Sequence, residues 1–298
     1  MDWNKLEDDV IKMSTKKMIQ WCFEKNLLEK EKKCALCKNT MKIVKAKCYI
    51  DKYAWRCTTK FCIGYQKRYS LRQNSFFSAF KVKLKKIMRI IIKWTETQKQ
   101  NLILTKLGVS YNLYRKITDK IIEKIKIYNL QHPLRLGGFG KIVQIDETML
   151  NFKCKSHRGR SSRNKTDAIC IIEYDNKITK CFTKIIEDKS IATILPIINN
   201  VVIGGSTIFT DEHKSYQRLQ NLGYEHGTVC HKYEFINKIT GANTQAVESF
   251  NNYLKYYIKF KKGLETQRRE EFLIEFTFKF NFKDQILPML LSLIKIVD

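Results

Sequence analysis

The sequence predicts an α/β protein in which a domain with a mixed sheet follows a smaller N-terminal part made of cysteine pairs and helices. Three observations support this division. Six of the 10 cysteines precede residue 63. A stretch rich in glycine follows at residues 131–140. Beyond it, β-rich runs alternate with helical patterns, which is typical of layered α/β domains.

The composition is that of a folded and strongly basic chain. Its 298 residues carry 56 Lys and Arg against 29 Asp and Glu, which leaves a formal net charge of +27. Only 3 Pro and 12 Gly indicate long regular elements. The codon usage of an AT-rich genome explains an excess of Lys, but it does not explain why the acidic residues fail to match the basic ones. The charge therefore favours a polyanionic partner, either nucleic acid or an anionic membrane surface.

The two ends of the chain argue against a membrane partner and against secretion. The apolar run at residues 286–297 contains Pro288 and Lys295 and is shorter than the roughly 20 residues that span a bilayer. Residues 1–9 lack the basic and apolar regions of a signal peptide. We therefore expect the cysteines to be free thiols or metal ligands, because disulfide frameworks belong to secreted proteins.

Two cysteine pairs within residues 31–72 predict a zinc ribbon. The first pair has the spacing C-x2-C and the second C-x4-C. Each pair supplies two thiolates from one tight turn, as tetrahedral Zn²⁺ requires. We expect one structural zinc ion, and the alternative is four ordinary core thiols. The four expected ligands are Cys34, Cys37, Cys57 and Cys62.

The segments around these pairs complete the predicted ribbon. Residues 41–44 and 53–56 alternate between apolar and polar side chains, as short strands do. Residues 1–30 are expected to form an N-terminal helix. Cys22 and Cys48 have no partner at metal-binding spacing, and we expect both to be buried thiols.

A helical DNA-binding region is predicted at residues 73–132. It opens with a basic run at residues 80–94 that contains no acidic residue. The apolar residues of this run recur at helical spacing. A solvated basic face is the alternative interpretation of the run.

The second half of this region predicts a helix-turn-helix. Gly108 provides a turn between segments 95–106 and 111–128, and Ser110 can cap the second helix. Two helices joined by a short turn with glycine are typical of this DNA-binding motif, although any helical hairpin shows the same pattern. The residues expected to meet DNA are Tyr111, Asn112, Arg115 and Lys116.

From residue 141 the pattern is that of the mixed-sheet domain, which we place at residues 141–262 with C-terminal helices at 263–298. Pro133 and three glycines before residue 141 mark the linker. The predicted strands lie at 142–150, 167–174, 180–187, 207–210 and 228–231, and the predicted helices at 190–202, 215–222 and 244–261.

Three carboxylates in this domain have positions that suit a metal site. Asp146 lies within an apolar strand, where an unpaired charge is costly. Asp211 ends a strand, where open α/β sheets place their ligand crevices. Glu248 lies on the last helix of the domain. If these side chains converge, they offer hard oxygen ligands to two Mg²⁺ or Mn²⁺ ions, the arrangement used in phosphoryl transfer. By spacing alone, surface carboxylates are an equally good interpretation.

A basic segment between the first two strands of the domain is a further candidate for contact with DNA. It contains Arg158, Arg160 and Arg163. A hairpin tip of this charge can grip a phosphate backbone. A solvated loop is the alternative.

Several motifs of the domain together resemble the DDE transposases of the Merlin group, which are relatives of bacterial insertion-sequence transposases. Asp211 and Glu248 are 37 positions apart (248 − 211), and Lys255 follows Glu248 by 7 (255 − 248). Both separations suit the DDE-with-lysine signature of that group. The resemblance covers about residues 30–262. The segments that carry it are Ile145-Asp146-Glu147-Thr148, Phe209-Thr210-Asp211, His231-Lys232-Tyr233-Glu234-Phe235, Thr244-Gln245-Ala246-Val247-Glu248, and Lys255.

The resemblance implies an RNase H-like catalytic fold in which the two aspartates and Glu248 hold the metal ions. It also implies Lys255 as a contact to the scissile or a neighbouring phosphate. The chain departs from the family at Asn243, where His is usual, and at Asn251, where an aromatic residue is usual.

The implied activity is cut-and-paste transposition of double-stranded DNA, with cleavage at terminal inverted repeats and strand transfer into a target. We expect a homodimer or higher oligomer on DNA. It would work in the nucleus where the cell has one, and otherwise in the cytoplasm on the nucleoid. Two rival interpretations are a domesticated, non-catalytic DNA-binding protein and an RNase H-like nuclease.

Overall fold

The computed structural model describes residues 5–151, 165–229 and 243–296. The chain divides into two compact units. One comprises Met1–Ile125 with Asp284–Asp298, and the other comprises Lys126–Lys283. No helix in the described part of the chain is long and apolar enough to cross a membrane.

The first unit contains the cysteine pairs and most of the N-terminal helices. Residues 1–30 contain two helices, because the Ser14 side chain accepts a hydrogen bond from the Lys17 N–H and so starts a second one. The elements are α1 (Leu6–Lys12), α2 (Thr15–Glu24), β1 (Lys42–Lys45), β2 (Tyr53–Arg56), β3 (Arg68–Ser70), α3 (Leu84–Thr95), α4 (Gln100–Leu107) and the greater part of α5 (Tyr111–Gln131), with the helix Ile286–Leu293 from the C-terminal segment.

Most of the basic run at residues 80–94 lies in α3. Some of its basic side chains pack inside the protein, as a solvated face would not. Lys93 lies buried and pairs with Glu7 at 2.7 Å, and Arg89 pairs with the same carboxylate at 3.2 Å. The helix expected at residues 95–106 is shorter, since Thr97 has a φ of 57° and α4 begins at Gln100. The chain therefore breaks between α3 and α4, where the sequence pattern predicted continuous helix.

The second unit contains the mixed-sheet domain. The short helix expected at residues 215–222 is instead two 3-10 turns at Lys214–Tyr216 and Gln220–Leu222, because Tyr216 and Leu219 turn inward into the core. The elements are β4 (Leu136–Gly137), β5 (Ile142–Met149), β6 (Asp167–Asp175), β7 (Lys177–Ile186), α6 (Ile191–Val201), β8 (Val202–Ile203), β9 (Thr207–Asp211), β10 (Glu225–Val229), α7 (Gln245–Phe260) and α8 (Arg269–Asn281).

Five strands form the central sheet of this unit in the order β10-β9-β5-β6-β7. The strands β5, β6 and β7 pair antiparallel, whereas β9 pairs parallel with β5 and β10 pairs parallel with β9. One face of the sheet packs against α6, and the other packs against α7 and α8. The predicted α/β class with a mixed sheet is confirmed.

Candidate functional site

Asp146 and Asp211 lie side by side on the two central parallel strands. The register of β5 and β9 pairs Ile142 with Thr207 and Gln144 with Phe209, an offset of 65 positions (207 − 142 and 209 − 144). The same offset places Asp146 level with Asp211 (211 − 146), two residues beyond the last ladder pair. Both strands run in the same direction, so both carboxylates stand near the carboxyl ends of parallel strands, where ligand crevices form.

Asp146 is held through both of its carboxylate oxygens. Its Oδ1 accepts a hydrogen bond from the Glu147 N–H at 2.8 Å, and its Oδ2 accepts one from Asn251 Nδ2 at 2.7 Å. Burial, together with the charges of Glu147 and Asp211, raises the pKa of Asp146 to about 6. Asp146 thus sits in an excess of negative charge that a cation would relieve.

Glu248 is brought toward the sheet by the first turn of α7. The Val247 N–H donates to Gln144 Oε1 at 3.0 Å, and Gln144 is fully buried on β5 two residues before Asp146. Gln144 Nε2 in turn donates to Asn243 Oδ1 at 3.2 Å. The Glu248 carboxylate accepts a hydrogen bond from the Thr244 hydroxyl at 3.2 Å. The residue next to Glu248 is therefore anchored to the strand that carries Asp146.

Asn251 is a site residue that sequence reasoning noted only as a departure from the family pattern. It is 3% exposed, and besides the bond to Asp146 its Oδ1 is buried with no hydrogen-bond partner among the described residues. It follows Glu248 by three positions, so both lie on one side of α7. The available signal was a polar residue at a position where the helical spacing predicts a buried side chain.

Glu147 points to the opposite face of β5 and has a different environment. Its carboxylate accepts a hydrogen bond from the Tyr216 hydroxyl and pairs with Lys189 at 3.3 Å. Tyr216 is 1% exposed and follows Asp211 by five residues (216 − 211). The bond between Glu147 and Tyr216 therefore ties the loop after Asp211 to the strand that carries Asp146.

Lys255 is exposed on α7, two turns beyond Glu248. The charges of Asp146 and Lys255 both act on Cys170, raising and lowering its pKa respectively, while burial is the main cause that raises it. Cys170 is the register partner of Asp146 on β6.

The three carboxylates form a looser group than the cysteines do. Within the described ranges, the cysteine cluster (Cys34, Cys37, Cys57 and Cys62) is the one group whose ligand atoms all lie within 4.8 Å of one another. The oxygens of Asp146, Asp211 and Glu248 do not all lie within that distance of one another. A shared cation would have to draw them together.

The geometry of the cysteine cluster suits a tetrahedral metal. Its Sγ–Sγ distances are 3.8 Å for Cys34 to Cys62 and 3.8 Å for Cys37 to Cys57. A tetrahedron with Zn–S bonds of about 2.3 Å has edges of about 3.8 Å. A hydrogen bond from the Asn39 backbone N–H, reinforced by Thr59, lowers the pKa of Cys37 to about 6, whereas burial raises the pKa of Cys62 to about 12. The cluster can hold a structural metal ion.

The remaining cysteines differ in burial. Cys22 is buried, as expected, and Cys170 and Cys181 are buried too. Cys48 is exposed, so the prediction of a buried thiol was wrong for it. It lies in the loop between β1 and β2, where Ala46, and not Cys48, packs inward.

A short turn at Gly108 joins α4 to α5. Gly108 ends α4 in the left-handed conformation with a φ of 55°, and the Ser110 hydroxyl accepts a hydrogen bond from the Leu113 N–H at the start of α5. Along the exposed side of α5 a shallow groove is lined in part by Asn112, Arg115 and Lys116. Tyr111 is 43% exposed, and its hydroxyl accepts a hydrogen bond from Arg115 at 3.3 Å.

Several predicted residues lie outside the described residues. They are Arg158, Arg160 and Arg163 of the basic segment, and His231.

Comparisons with known proteins find transposases. Residues 135–281 match the family model of the ISXO2-like transposase domain. Over 102 residues the chain is 29% identical to an uncharacterized transposase-like protein of Haemophilus influenzae, a match that covers 34% of this chain and 81% of that protein.

Two solved structures also match over much of the chain. The Mos1 transposase paired-end complex with left transposon end is 11% identical with a TM-score of 0.23, covering 71% of this chain and 80% of that chain. The mariner Mos1 paired end complex with Mg is 13% identical with a TM-score of 0.23, covering 71% and 79%. Both likenesses are weak, and no conclusion rests on them.

Proposed function

We propose that this chain, whose residues 135–281 match the ISXO2-like transposase domain, is a DDE transposase that cleaves DNA at terminal inverted repeats and transfers the cut strand into target DNA. The observation that carries this proposal is the level placement of Asp146 and Asp211 on adjacent parallel strands. The strand order β10-β9-β5-β6-β7 supports an RNase H-like fold, with three antiparallel strands followed by two parallel ones.

Asp146, Asp211 and Glu248 are the proposed ligands of two Mg²⁺ or Mn²⁺ ions. The donor set fits, because it consists of carboxylate oxygens, and because burial, together with the negative charges of Glu147 and Asp211, raises the pKa of Asp146 to about 6. Such ions, when bound, activate a nucleophile and stabilise the leaving oxygen in phosphoryl transfer.

The protein's own part in the reaction is to hold these carboxylates and the DNA in place. Asn251 and the Glu147 N–H orient the two oxygens of Asp146, and Gln144 anchors the turn that carries Glu248. Lys255 is the proposed contact to the scissile or a neighbouring phosphate. These contacts restrict the orientation of Asp146, so less rearrangement is left when a cation draws the three carboxylates together.

Recognition of the element's ends is assigned to the N-terminal part of the chain. The cysteine cluster would hold one Zn²⁺, because the distances between its Sγ atoms fit a tetrahedral zinc site. The start of α5 would enter the DNA groove, with Tyr111, Asn112, Arg115 and Lys116 as the contacting residues. The basic segment with Arg158, Arg160 and Arg163 would add phosphate contacts, and the protein would act as a homodimer or higher oligomer on double-stranded DNA.

Substitution of the carboxylates tests the proposal. Asp146→Asn, Asp211→Asn and Glu248→Gln should each lower Mg²⁺-dependent cleavage of a plasmid carrying the repeats by about 100-fold or more, because each removes a charge that the metal ions need. DNA affinity should stay largely unchanged. The matched control is Asp175→Asn, an exposed carboxylate at the turn between β6 and β7.

The outcomes separate the rival functions. Cleavage at the wild-type rate by any of the three variants removes that residue from the site. Binding to the repeats without cleavage by the wild-type chain indicates a non-catalytic DNA-binding protein. Hydrolysis of nucleic acid without strand transfer indicates a nuclease.

A further inference from the structure

The helix α7 continues beyond Glu248 with one buried and one exposed face. The buried face carries Phe250, Leu254 and Ile258, which pack in the core beneath the sheet. The exposed face carries Lys255, Tyr256 and Lys259, spaced by one helical turn or less. We call these three residues the α7 strip.

The α7 strip has a charge that the surrounding chain does not offset. Residues 249–264 contain no Asp or Glu. Lys261 at the end of the segment pairs with Glu275 at 3.0 Å. For Lys255 and Lys259, the described part of the chain provides no ion pair with a carboxylate. The strip is therefore a row of available positive charge that begins beside the carboxylate site.

Tyr256 distinguishes the α7 strip from an ordinary solvated face of lysines, because such a face does not require an exposed aromatic ring. It is 59% exposed. Its ring is steadied by Tyr257 and Phe260, with ring centroids 6.3 and 6.4 Å away. Tyr253, by contrast, packs against Phe276 at 5.7 Å and belongs to the aromatic cluster between α7 and α8. An aromatic ring that is held in place yet exposed between lysines suits base stacking.

We propose that the α7 strip binds the unpaired DNA strand next to the cleaved phosphate, with a base stacked on Tyr256 and a phosphate held by Lys259. This inference rests on the proposed function, because the DNA strand lies along the α7 strip only if Glu248 belongs to the site that cleaves DNA. Eleven residues separate Glu248 from Lys259 (259 − 248), or about 16 Å of helix.

Binding of a fluorescently labelled single-stranded oligonucleotide tests the proposal. The full-length chain is titrated in magnesium-free buffer, so the measurement does not depend on cleavage. Tyr256→Ala should weaken binding by about 10-fold, within the 1–3 kcal/mol attributed to stacking of one base. Tyr256→Phe should bind as the wild type does, because it keeps the ring. Lys259→Ala should weaken binding and reduce the slope of log K against log salt by about 0.7.

The controls separate this proposal from the proposed function. Lys177→Ala removes an exposed lysine at the β6–β7 turn and should leave affinity unchanged. Asp175→Asn, at an exposed carboxylate of the β6–β7 turn, should bind the oligonucleotide as the wild type does. If Tyr256→Ala binds normally, or if Tyr256→Phe loses as much as Tyr256→Ala, the strip is not a stacking site. If the α7 strip binds the oligonucleotide as expected but the wild-type chain does not cleave DNA, the proposed function is contradicted and the binding by the strip is not.

Discussion

Two buried polar side chains on the Asp146 side of the sheet differ in what they contribute. Asn251 donates to the Asp146 carboxylate, and its own Oδ1 is without a described partner. Thr148 is 4% exposed, and its hydroxyl is also without a described partner. Both carry the cost of a buried unsatisfied atom. Of the two, only Asn251 also makes a hydrogen bond to a residue of the site.

Replacing Asn251 with Leu should therefore affect cleavage more than stability. We expect cleavage to fall by about 10-fold or more, because Asp146 loses one of its two orienting hydrogen bonds. Thermal stability should change by less than about 1 kcal/mol, because the removal of the unsatisfied Asn251 Oδ1 offsets the loss of the hydrogen bond to Asp146 Oδ2. The measurements are the Mg²⁺-dependent cleavage rate and the melting temperature. Thr148→Val is the control and should keep the wild-type rate; equal losses in both variants would assign Asn251 a packing role only.

Asp146 also predicts how stability depends on pH. Its folded-state pKa of about 6 lies above the ordinary value of 3.8, so between about pH 4 and 6 the folded chain binds more protons than the unfolded chain. Stability therefore falls as pH rises through that window. In magnesium-free buffer at pH 7, Asp146→Asn should stabilise the chain by ~1–2 kcal/mol, at about 1.4 kcal/mol per pKa unit before solvent screening. Melting temperatures of both proteins from pH 4 to 7 test this; parallel curves would contradict it.

At the scale of elements, the ribbon formed by β1, β2 and β3 has little apolar core of its own. The residues of β1 are exposed or half-buried. In β2, Ala54 and Trp55 are buried. Short antiparallel strands of this kind are marginal without a further constraint. The metal is therefore expected to supply much of the ribbon's folding free energy.

Removal of a ligand from the cysteine cluster should unfold the ribbon selectively. We expect about one zinc ion per wild-type chain, and Cys57→Ser should lose it, because a structural site needs four ligands. Amide exchange should then rise over residues 30–70 and stay unchanged in the sheet of the second unit. Cys48→Ser is the control, since Cys48 is exposed outside the cluster. Less than about half a zinc ion per chain, in protein prepared without chelator, would refute the ribbon's metal.

At the scale of the whole molecule, the net charge of +27 is the property that concerns DNA affinity. Part of the basic charge is used internally, as Lys93 and Arg89 show by pairing with Glu7. The remainder is available to phosphates. Affinity for DNA should then depend on how many counterions are released on binding.

Salt dependence tests whether this charge forms a binding surface. We expect log K for double-stranded DNA to fall steeply with log salt, with a slope of about −0.9 for each phosphate neutralised. Fluorescence anisotropy between about 50 and 200 mM salt gives the slope. A flat dependence would mean that the lysine content reflects codon usage and not DNA binding.

The sequence by itself determined the local features of this protein. Cysteine spacing predicted the cluster, Gly108 and Ser110 predicted the turn before α5, and Ser190 predicted the start of α6. These features depend on residues within a few positions of one another, so the chain can specify them without its fold. The α/β class followed from the same local periodicities.

Tertiary structure alone decided how distant residues meet. The level placement of Asp146 and Asp211 depends on strand register, and the bond from Asn251 to Asp146 joins positions 105 apart. Cys48 is exposed while Cys22 is buried, although both were expected to be buried thiols. Register and burial depend on which faces pack together across the whole chain. The residues next to a side chain in the sequence do not specify that packing.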